Sequence, residues 1–127
     1  MLTEQLSDFL YEVRYDSLPS TAVDNATLYL ADLLGVAVAG SVQPQGGIWR
    51  SYFAAGDGQQ EATAWNSGLE RFSCEHAAAL TAACAPVMAM DDVHNASIPH
   101  LGAATTPAAL AVGQKLPRPG REVLAAI

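Results

Sequence analysis

Hydrophobic residues recur at intervals of three and four along most of the chain, which is the spacing of one face of an α-helix. The first such series is Leu2, Leu6, Phe9, Leu10 and Val13. A wider series of hydrophobic residues spans residues 23–37. Pro19 and Ser20 before it suit the start of a helix, and Gly40 after it suits the end. A stripe of this width predicts a second helix that is buried on most of its sides.

The pattern continues with a third helix around residues 48–53, in which Trp49, Tyr52 and Phe53 are expected to belong to the core. The glycine-rich segment AGDGQQ ends it, and residues 62–65 favour a short extended segment before an Asn-Ser-Gly turn.

Two further helices follow from local start signals. Ser73 is a suitable N-cap for CEHAAALTAACAPVMAM, in which Pro86 is expected to kink or weaken the helix. Thr106 and Pro107 predict the cap and first residue of the next helix, and PRPGREVLAAI begins another. The fold class expected is therefore all-α, with about five helices and at most a minor strand pair near residues 62–65.

Composition and charge limit the classes of molecule that the protein is expected to bind. The net charge is −7 and the six Lys and Arg residues are scattered, so nothing indicates binding to nucleic acid or to an anionic membrane. The most apolar run, residues 28–38, is too short to span a bilayer and contains Asp32. The N-terminus lacks the basic region of a signal peptide. Two cysteines ten residues apart, Cys74 and Cys84, match neither a metal site nor a disulfide framework. We therefore expect a soluble, cytoplasmic protein with free thiols.

The C-terminal residues predict an incomplete domain. The last helix ends in apolar residues without a Gly, Asn or Pro stop signal, and so short a helix needs something to pack against. We expect residues 1–127 to be a fragment, or half of a split protein, with the domain continuing beyond Ile127.

Titratable residues concentrate in one short loop, residues 88–102, MAMDDVHNASIPHLG. A histidine such as His100 transfers protons near neutral pH, and a nearby Asp fixes its tautomer or stabilises its charged form. Asp91 and Asp92 follow a helix C-terminus, where acids are unfavourable, so we expect them to have partners such as backbone amides. Gly102 would let the backbone approach a ligand closely.

Each of these residues also has a purely structural interpretation. His100 could hydrogen-bond a neighbouring loop, and His94 could lie on the surface. Asp91 and Asp92 could end the preceding helix or cap the next turn.

Four collinear segments resemble the beginning of the MmgE/PrpD superfamily, which includes 2-methylcitrate dehydratase, cis-aconitate decarboxylase and iminodisuccinate epimerase. They are LYLADLLGVAVAGS, EATAWNSGLERFSCEHAAALTAACAPVMAMDDVH, PHLGAATTPAALAVG and GREVLAAI. Full-length members have a large helical domain and a smaller α+β domain. The resemblance implies that residues 1–127 are the start of the helical domain.

The resemblance also places the loop at the border of an active site. Members carry D-F-D-D-T-H, a short variable stretch and then H-P-G. The second and third acids match Asp91 and Asp92, the first histidine matches His94, and the histidine of H-P-G matches His100.

Three positions depart from that pattern. Ala89 stands where the family has its first acid, Val93 where it has threonine, and Leu101 where it has the proline after the second histidine. These departures leave dehydration, decarboxylation and epimerisation open.

The resemblance implies part of a metal-independent lyase or isomerase of small di- or tricarboxylates, without a cofactor. His100 would transfer the proton, with Asp91, Asp92 and His94 in the same site. A chain of net charge −7 is poorly suited to bind a polyanionic substrate. The cationic residues that hold the substrate, which are lysines in the family, are therefore expected downstream of Ile127. The isolated chain should then be inactive, and it should form a homo-oligomer or bind a partner chain that supplies the missing half.

Two other functions fit some of the residues. Asp91, Asp92, His94 and His100 could be the ligands of a metal-dependent hydrolase, since oxygen and nitrogen donors suit Mn, Fe or Zn, although the spacing matches no standard ligand motif. Ala89 and Val93 could instead mark a degenerate member retained as a non-catalytic helical assembly module.

Overall fold

The computed structural model describes residues 1–55, 58–66 and 68–127. This part contains six α-helices: α1 (Leu2–Glu12), α2 (Ser20–Ser41), α3 (Pro44–Ala54), α4 (Cys74–Cys84), α5 (Leu101–Lys115) and α6 (Gly120–Ala125). Two 3₁₀ turns occupy Tyr15–Ser17 and Ala85–Met88. Strand β1 (Ala62–Thr63) pairs antiparallel with β2 (Arg71–Phe72), with Ala62 opposite Phe72. The predicted all-α class and its minor strand pair are confirmed.

Helix α4 lies at the centre of the core and packs against α2, α3 and α5. Its buried face includes Leu80 and Cys84, and burial raises the pKa of the Cys84 thiol. Gly40 of α2 lies directly against this helix, since a Cβ there would be 2.0 Å from the Cys84 carbonyl oxygen. Glycine at the predicted end of α2 therefore serves a close helix crossing, and α2 continues one residue further, to Ser41.

The start and end of α4 follow the sequence signals. The Ser73 Oγ accepts a hydrogen bond from the His76 N–H at 3.3 Å, so the predicted N-cap is confirmed. The carboxylate of Glu61, the residue before β1, accepts from the Cys74 N–H and pairs with Lys115, which connects this segment to α4 and α5. At the other end, Pro86 lies in the 3₁₀ turn that replaces the α-helix, as its missing N–H predicts.

Helix α5 begins earlier than the sequence predicted. It starts at Leu101, so Thr106 is not its cap and Pro107 lies inside it, fully buried. Proline has no N–H, and Pro107 therefore leaves the Ala103 carbonyl without its usual helical donor. The helix nevertheless runs from Leu101 to Lys115, and the N–H of Gly102 in its first turn donates to the Asp92 carboxylate outside the helix.

Burial of α2 and α3 was over-predicted. On α3, Tyr52 is 70% exposed and Trp49 is also exposed, while Phe53 packs on the core and on the His76 ring. The fully buried residues of α2 lie in its C-terminal half, from Leu33 onward. These helices contact the core along one side only, so an apolar pattern alone did not show which side is covered.

The length of α2 affects the prediction that the chain has no membrane-spanning segment. The helix has 22 residues and is apolar enough, by length and composition only, to cross a membrane. The prediction that residues 28–38 are too short to span a bilayer considered only part of this helix, which extends well beyond that run. Core helices of soluble proteins and signal sequences satisfy the same criterion. The most apolar window of α2 is 17% buried, and Leu33 and Ala37 contribute to a buried core cluster. The absence of a membrane span stays a prediction.

The two predicted turns fall partly on residues 56, 57 and 67, which lie outside the described residues. Helix α3 ends at Ala54, as the glycine-rich segment indicated. The Asn66 side-chain oxygen accepts a hydrogen bond from the Gly68 N–H at 3.2 Å, which is consistent with the turn expected there.

Candidate functional site

The loop between the second 3₁₀ turn and α5 begins with a left-handed residue. Ala89 ends the turn with φ 51° and ψ 41°, a conformation that costs a residue with a Cβ about 1–2 kcal/mol. After this left-handed residue, Met90 is 68% exposed, whereas Asp91 is buried. The backbone at Ala89 thus decides which of the neighbouring side chains enters the protein.

Asp91 and His100 form a hydrogen-bonded pair. The Asp91 Oδ2 lies 2.8 Å from the His100 Nδ1, with the Asp91 side chain 1% exposed and the His100 side chain 47% exposed. The other carboxylate oxygen, Oδ1, is buried and has no hydrogen-bond partner in the described part of the chain. The pair therefore has a buried acceptor and an imidazole that reaches solvent. The structure thus brings together one of the two acids and one of the two histidines that the sequence singled out.

Asp92 has a different partner from Asp91. Its Oδ2 accepts a hydrogen bond from the Gly102 N–H at 3.1 Å. Gly102 is the second residue of α5, where backbone N–H groups lack helical acceptors, and a carboxylate there is also favoured by the helix dipole. The expectation that an acid in this loop finds a backbone amide is confirmed for Asp92. The close approach at Gly102 is to this carboxylate, since a Cβ would lie 2.2 Å from the Asp92 Oδ1.

His94 has hydrogen-bond partners other than Asp91 and His100. Its Nδ1 lies 2.7 Å from the Ser97 Oγ, and its backbone closes the loop by hydrogen bonds with Ile98 and Pro99. Ile98 has φ 61°, an uncommon value for a β-branched residue. His94 is exposed, so its position fits the structural interpretation at least as well as a catalytic one. Ser97, which nothing in the sequence singled out, orients its ring.

A cavity of about 530 Å³ lies beside the loop, between α2 and the first two turns of α5. Its lining includes Asp92, His94, Tyr29 and Thr106, and the buried Thr106 Oγ1 has no hydrogen-bond partner among the residues described. No Lys or Arg belongs to this lining, and neither Asp91 nor His100 does. The cavity supplies hydroxyl, imidazole and carboxylate groups, but it offers no fixed positive charge for a carboxylate ligand.

The four candidate residues do not converge on a common point as metal ligands. Among the residues that the structure describes, no three His, Cys, Asp or Glu side chains are grouped so as to hold a metal ion. The hydrogen bonds divide the four residues into Asp91 with His100, Asp92 with Gly102, and His94 with Ser97. One of these pairs places a half-exposed imidazole, that of His100, against a buried carboxylate.

These features define an all-α domain with a carboxylate–histidine pair at the start of one of its helices. The family model of the MmgE/PrpD N-terminal domain matches residues 4–127, and the chain belongs to this family. Members of the family are lyase-like enzymes. No curated protein matches the chain, and no solved structure does.

Proposed function

We propose that the chain is part of a metal-independent lyase or isomerase that acts on small di- or tricarboxylates in the cytoplasm, with His100 as the proton-transfer residue. The observation that carries the proposal is the anchored, half-exposed imidazole of His100 in a chain of this family. Two cysteines that are both free and buried are compatible with a reducing compartment.

The chemistry follows from the position of the ring. A carbon next to a carboxylate loses or gains a proton when a base or acid lies within hydrogen-bond reach. With Nδ1 of His100 engaged by Asp91, Nε2 is the ring atom available to a substrate. A histidine acts in both directions near neutral pH, so one residue can accept the proton and return it.

Positive charge for the substrate carboxylates must come from elsewhere. The chain has net charge −7, and neither Lys nor Arg lines the cavity beside the loop. Developing negative charge on an enolate requires cationic or hydrogen-bonding groups. We infer that these groups belong to residues outside this sequence or to a partner chain, and that the 127 residues alone are inactive.

The test is a turnover assay of the complete protein with 2-methylcitrate, cis-aconitate and iminodisuccinate. His100→Ala should lower kcat by about a hundredfold or more, the usual effect of losing a positioned acid or base. His76→Ala is the matched control, because His76 packs on Phe53 of α3 outside the loop. An unchanged rate in His100→Ala would mean that the loop is only scaffolding.

The metal-dependent hydrolase is tested by calorimetry with Mn²⁺, Fe²⁺ and Zn²⁺. Stoichiometric binding that Asp91→Ala and His94→Ala both abolish would favour it over the proposed lyase. We expect no such binding, because these two side chains have separate partners.

One observation favours a role in assembly, with or without catalysis. Helix α1 exposes most of its apolar face, and its exposed residues are Leu2, Leu6, Phe9, Leu10 and Tyr11. Contiguous apolar surface of this kind drives association. We propose that the chain self-associates or binds a partner chain. Light scattering that gives a stable monomer at high concentration would contradict this, and a stable assembly without turnover would favour the non-catalytic module.

A further inference from the structure

We infer that Asp91 is a positioning residue that holds His100 with its proton on Nδ1 and its lone pair on Nε2, so that His100 enters the reaction as a base. The reaction step rests on the proposed function, whereas the tautomer is a property of the protein alone.

The tautomer follows from which atom can donate. A carboxylate only accepts hydrogen bonds, whereas a neutral imidazole donates from one of its two nitrogens. The 2.8 Å contact between the Asp91 Oδ2 and the His100 Nδ1 therefore requires the proton on Nδ1. In the neutral ring the lone pair is then on Nε2, the nitrogen that Asp91 does not engage.

Burial separates the roles of the two residues. The Asp91 side chain is 1% exposed and cannot touch a substrate, whereas the His100 side chain is 47% exposed. Asp91 can therefore act only through the ring. Since water does not reach this carboxylate, solvent does not compete for its contact with Nδ1.

The second oxygen of Asp91 strengthens the argument. Oδ1 is buried and accepts no hydrogen bond within the described residues, so His100 is the side chain on which this carboxylate acts. When Nε2 takes up a proton, the ring becomes an imidazolium facing a carboxylate whose charge other donors have not satisfied. The ring and the carboxylate are then an ion pair at hydrogen-bond distance. Asp91 therefore stabilises the state that follows proton abstraction.

Because His100 is a base before the reaction begins, it suits some of the reactions that the sequence left open better than others. The C–H bond next to a substrate carboxylate breaks, its proton moves to Nε2, and the electron pair is delocalised into the carboxylate. In elimination the pair then forms the C=C bond and expels a β-hydroxyl group, which leaves as water with the proton from the imidazolium. In epimerisation, the carbon takes a proton from solvent on its other face and the imidazolium releases its proton to solvent. Decarboxylation starts instead by breaking a C–C bond and needs a proton donor, so this arrangement favours elimination or epimerisation.

The tautomer is measurable by NMR without any substrate. Long-range ¹H–¹⁵N spectra of the ¹⁵N-labelled complete protein identify the protonated nitrogen of each neutral ring, and the signals that disappear in His100→Ala are those of His100. We expect Nδ1–H for His100. In Asp91→Asn the side-chain amide can donate to Nδ1, and we expect the ring to change wholly or partly to Nε2–H. Asp32→Asn, on the exposed side of α2, is the matched control and should change nothing.

The same variants separate positioning from structure. With a substrate that turns over, Asp91→Asn should lower kcat by about a hundredfold while KM stays within about threefold. An Nε2–H tautomer in the wild-type protein would overturn the inference even if Asp91→Asn did not fold, and so would an unchanged tautomer in a folded Asp91→Asn. If His100 is the Nδ1–H tautomer and no carboxylate is turned over, the proposed function fails while the positioning by Asp91 stands.

Discussion

The Gly102 N–H donates a hydrogen bond to the Asp92 Oδ2 at 3.1 Å, although the two residues are ten positions apart. This contact caps α5 from outside the helix, because His100 at the N-cap position makes no capping hydrogen bond with its own side chain. Asp92 thereby sets the start of α5, and the start of α5 fixes the backbone that carries His100. The two acids of the loop have complementary roles, one on the helix and one on the histidine.

Gly102→Ala should destabilise the protein by about 1–3 kcal/mol, the usual cost of inserting a methylene where there is no room. The new Cβ would lie 2.2 Å from the Asp92 Oδ1, and moving that carboxylate breaks its bond to the Gly102 N–H. Urea unfolding followed by circular dichroism measures the change. Gly35→Ala is the control, since nothing lies within 4 Å of a Cβ there and alanine is the better helix former. Equal destabilisation by both substitutions would show that Asp92 does not restrict residue 102.

His94→Ala should affect turnover less than His100→Ala does, with a loss below about tenfold against the ~10²-fold typical of a positioned acid or base. The reason is that the His94 ring is exposed and is held by Ser97 rather than by a buried acid. Steady-state kinetics of both variants give the comparison. Equal losses would place His94 in the proton transfer as well.

Ala89→Asp combined with Val93→Thr should raise dehydratase or decarboxylase activity, because it restores the acid and hydroxyl that the family motif has at these positions. The backbone favours the first change, since Asp tolerates the left-handed conformation of residue 89 better than Ala does. Ala89→Asn with Val93→Thr is the matched control, with the same shape and backbone preference but no acid. No gain in activity over this control would mean that these departures do not set the reaction.

The stability of the protein should fall in acid partly through Glu70. Hydrogen bonds from Arg50 hold the pKa of Glu70 below its usual value, although partial burial opposes the shift. A carboxyl whose folded pKa is lowered stabilises the protein above its unfolded pKa, and this contribution is lost as the pH falls through the folded value. Urea unfolding at about pH 7 and about pH 3 should show a smaller difference in Glu70→Gln than in the wild type. Glu12→Gln, on the exposed surface of α1, should keep the wild-type difference.

The sequence by itself determined the class of fold and most of the elements. Ser73 and Pro86 act over a few residues, through a cap and a missing N–H, and each lies within two residues of a boundary of α4. The family was also recognisable from the sequence, because its motifs are collinear stretches of residues. Signals of this kind depend on neighbours along the chain, and they were therefore readable without the fold.

The tertiary structure decided what depends on distant partners. Local signals placed the start of α5 at Pro107, whereas the helix starts at Leu101, where a carboxylate outside the helix accepts from the Gly102 N–H. Burial of α3 was over-predicted for the same reason, because the apolar pattern of a helix does not show which side its neighbours cover.

The different partners of the two acids in the loop are the clearest example of what the tertiary structure decided. The sequence gathered Asp91, Asp92 and His100 into fifteen residues, and it left open which acid serves the histidine. The left-handed turn at Ala89 precedes an inward-pointing Asp91, while Asp92 accepts from the start of α5. Adjacent carboxylates are chemically the same group, so only the direction of the backbone and the burial that follows from it could give them different partners.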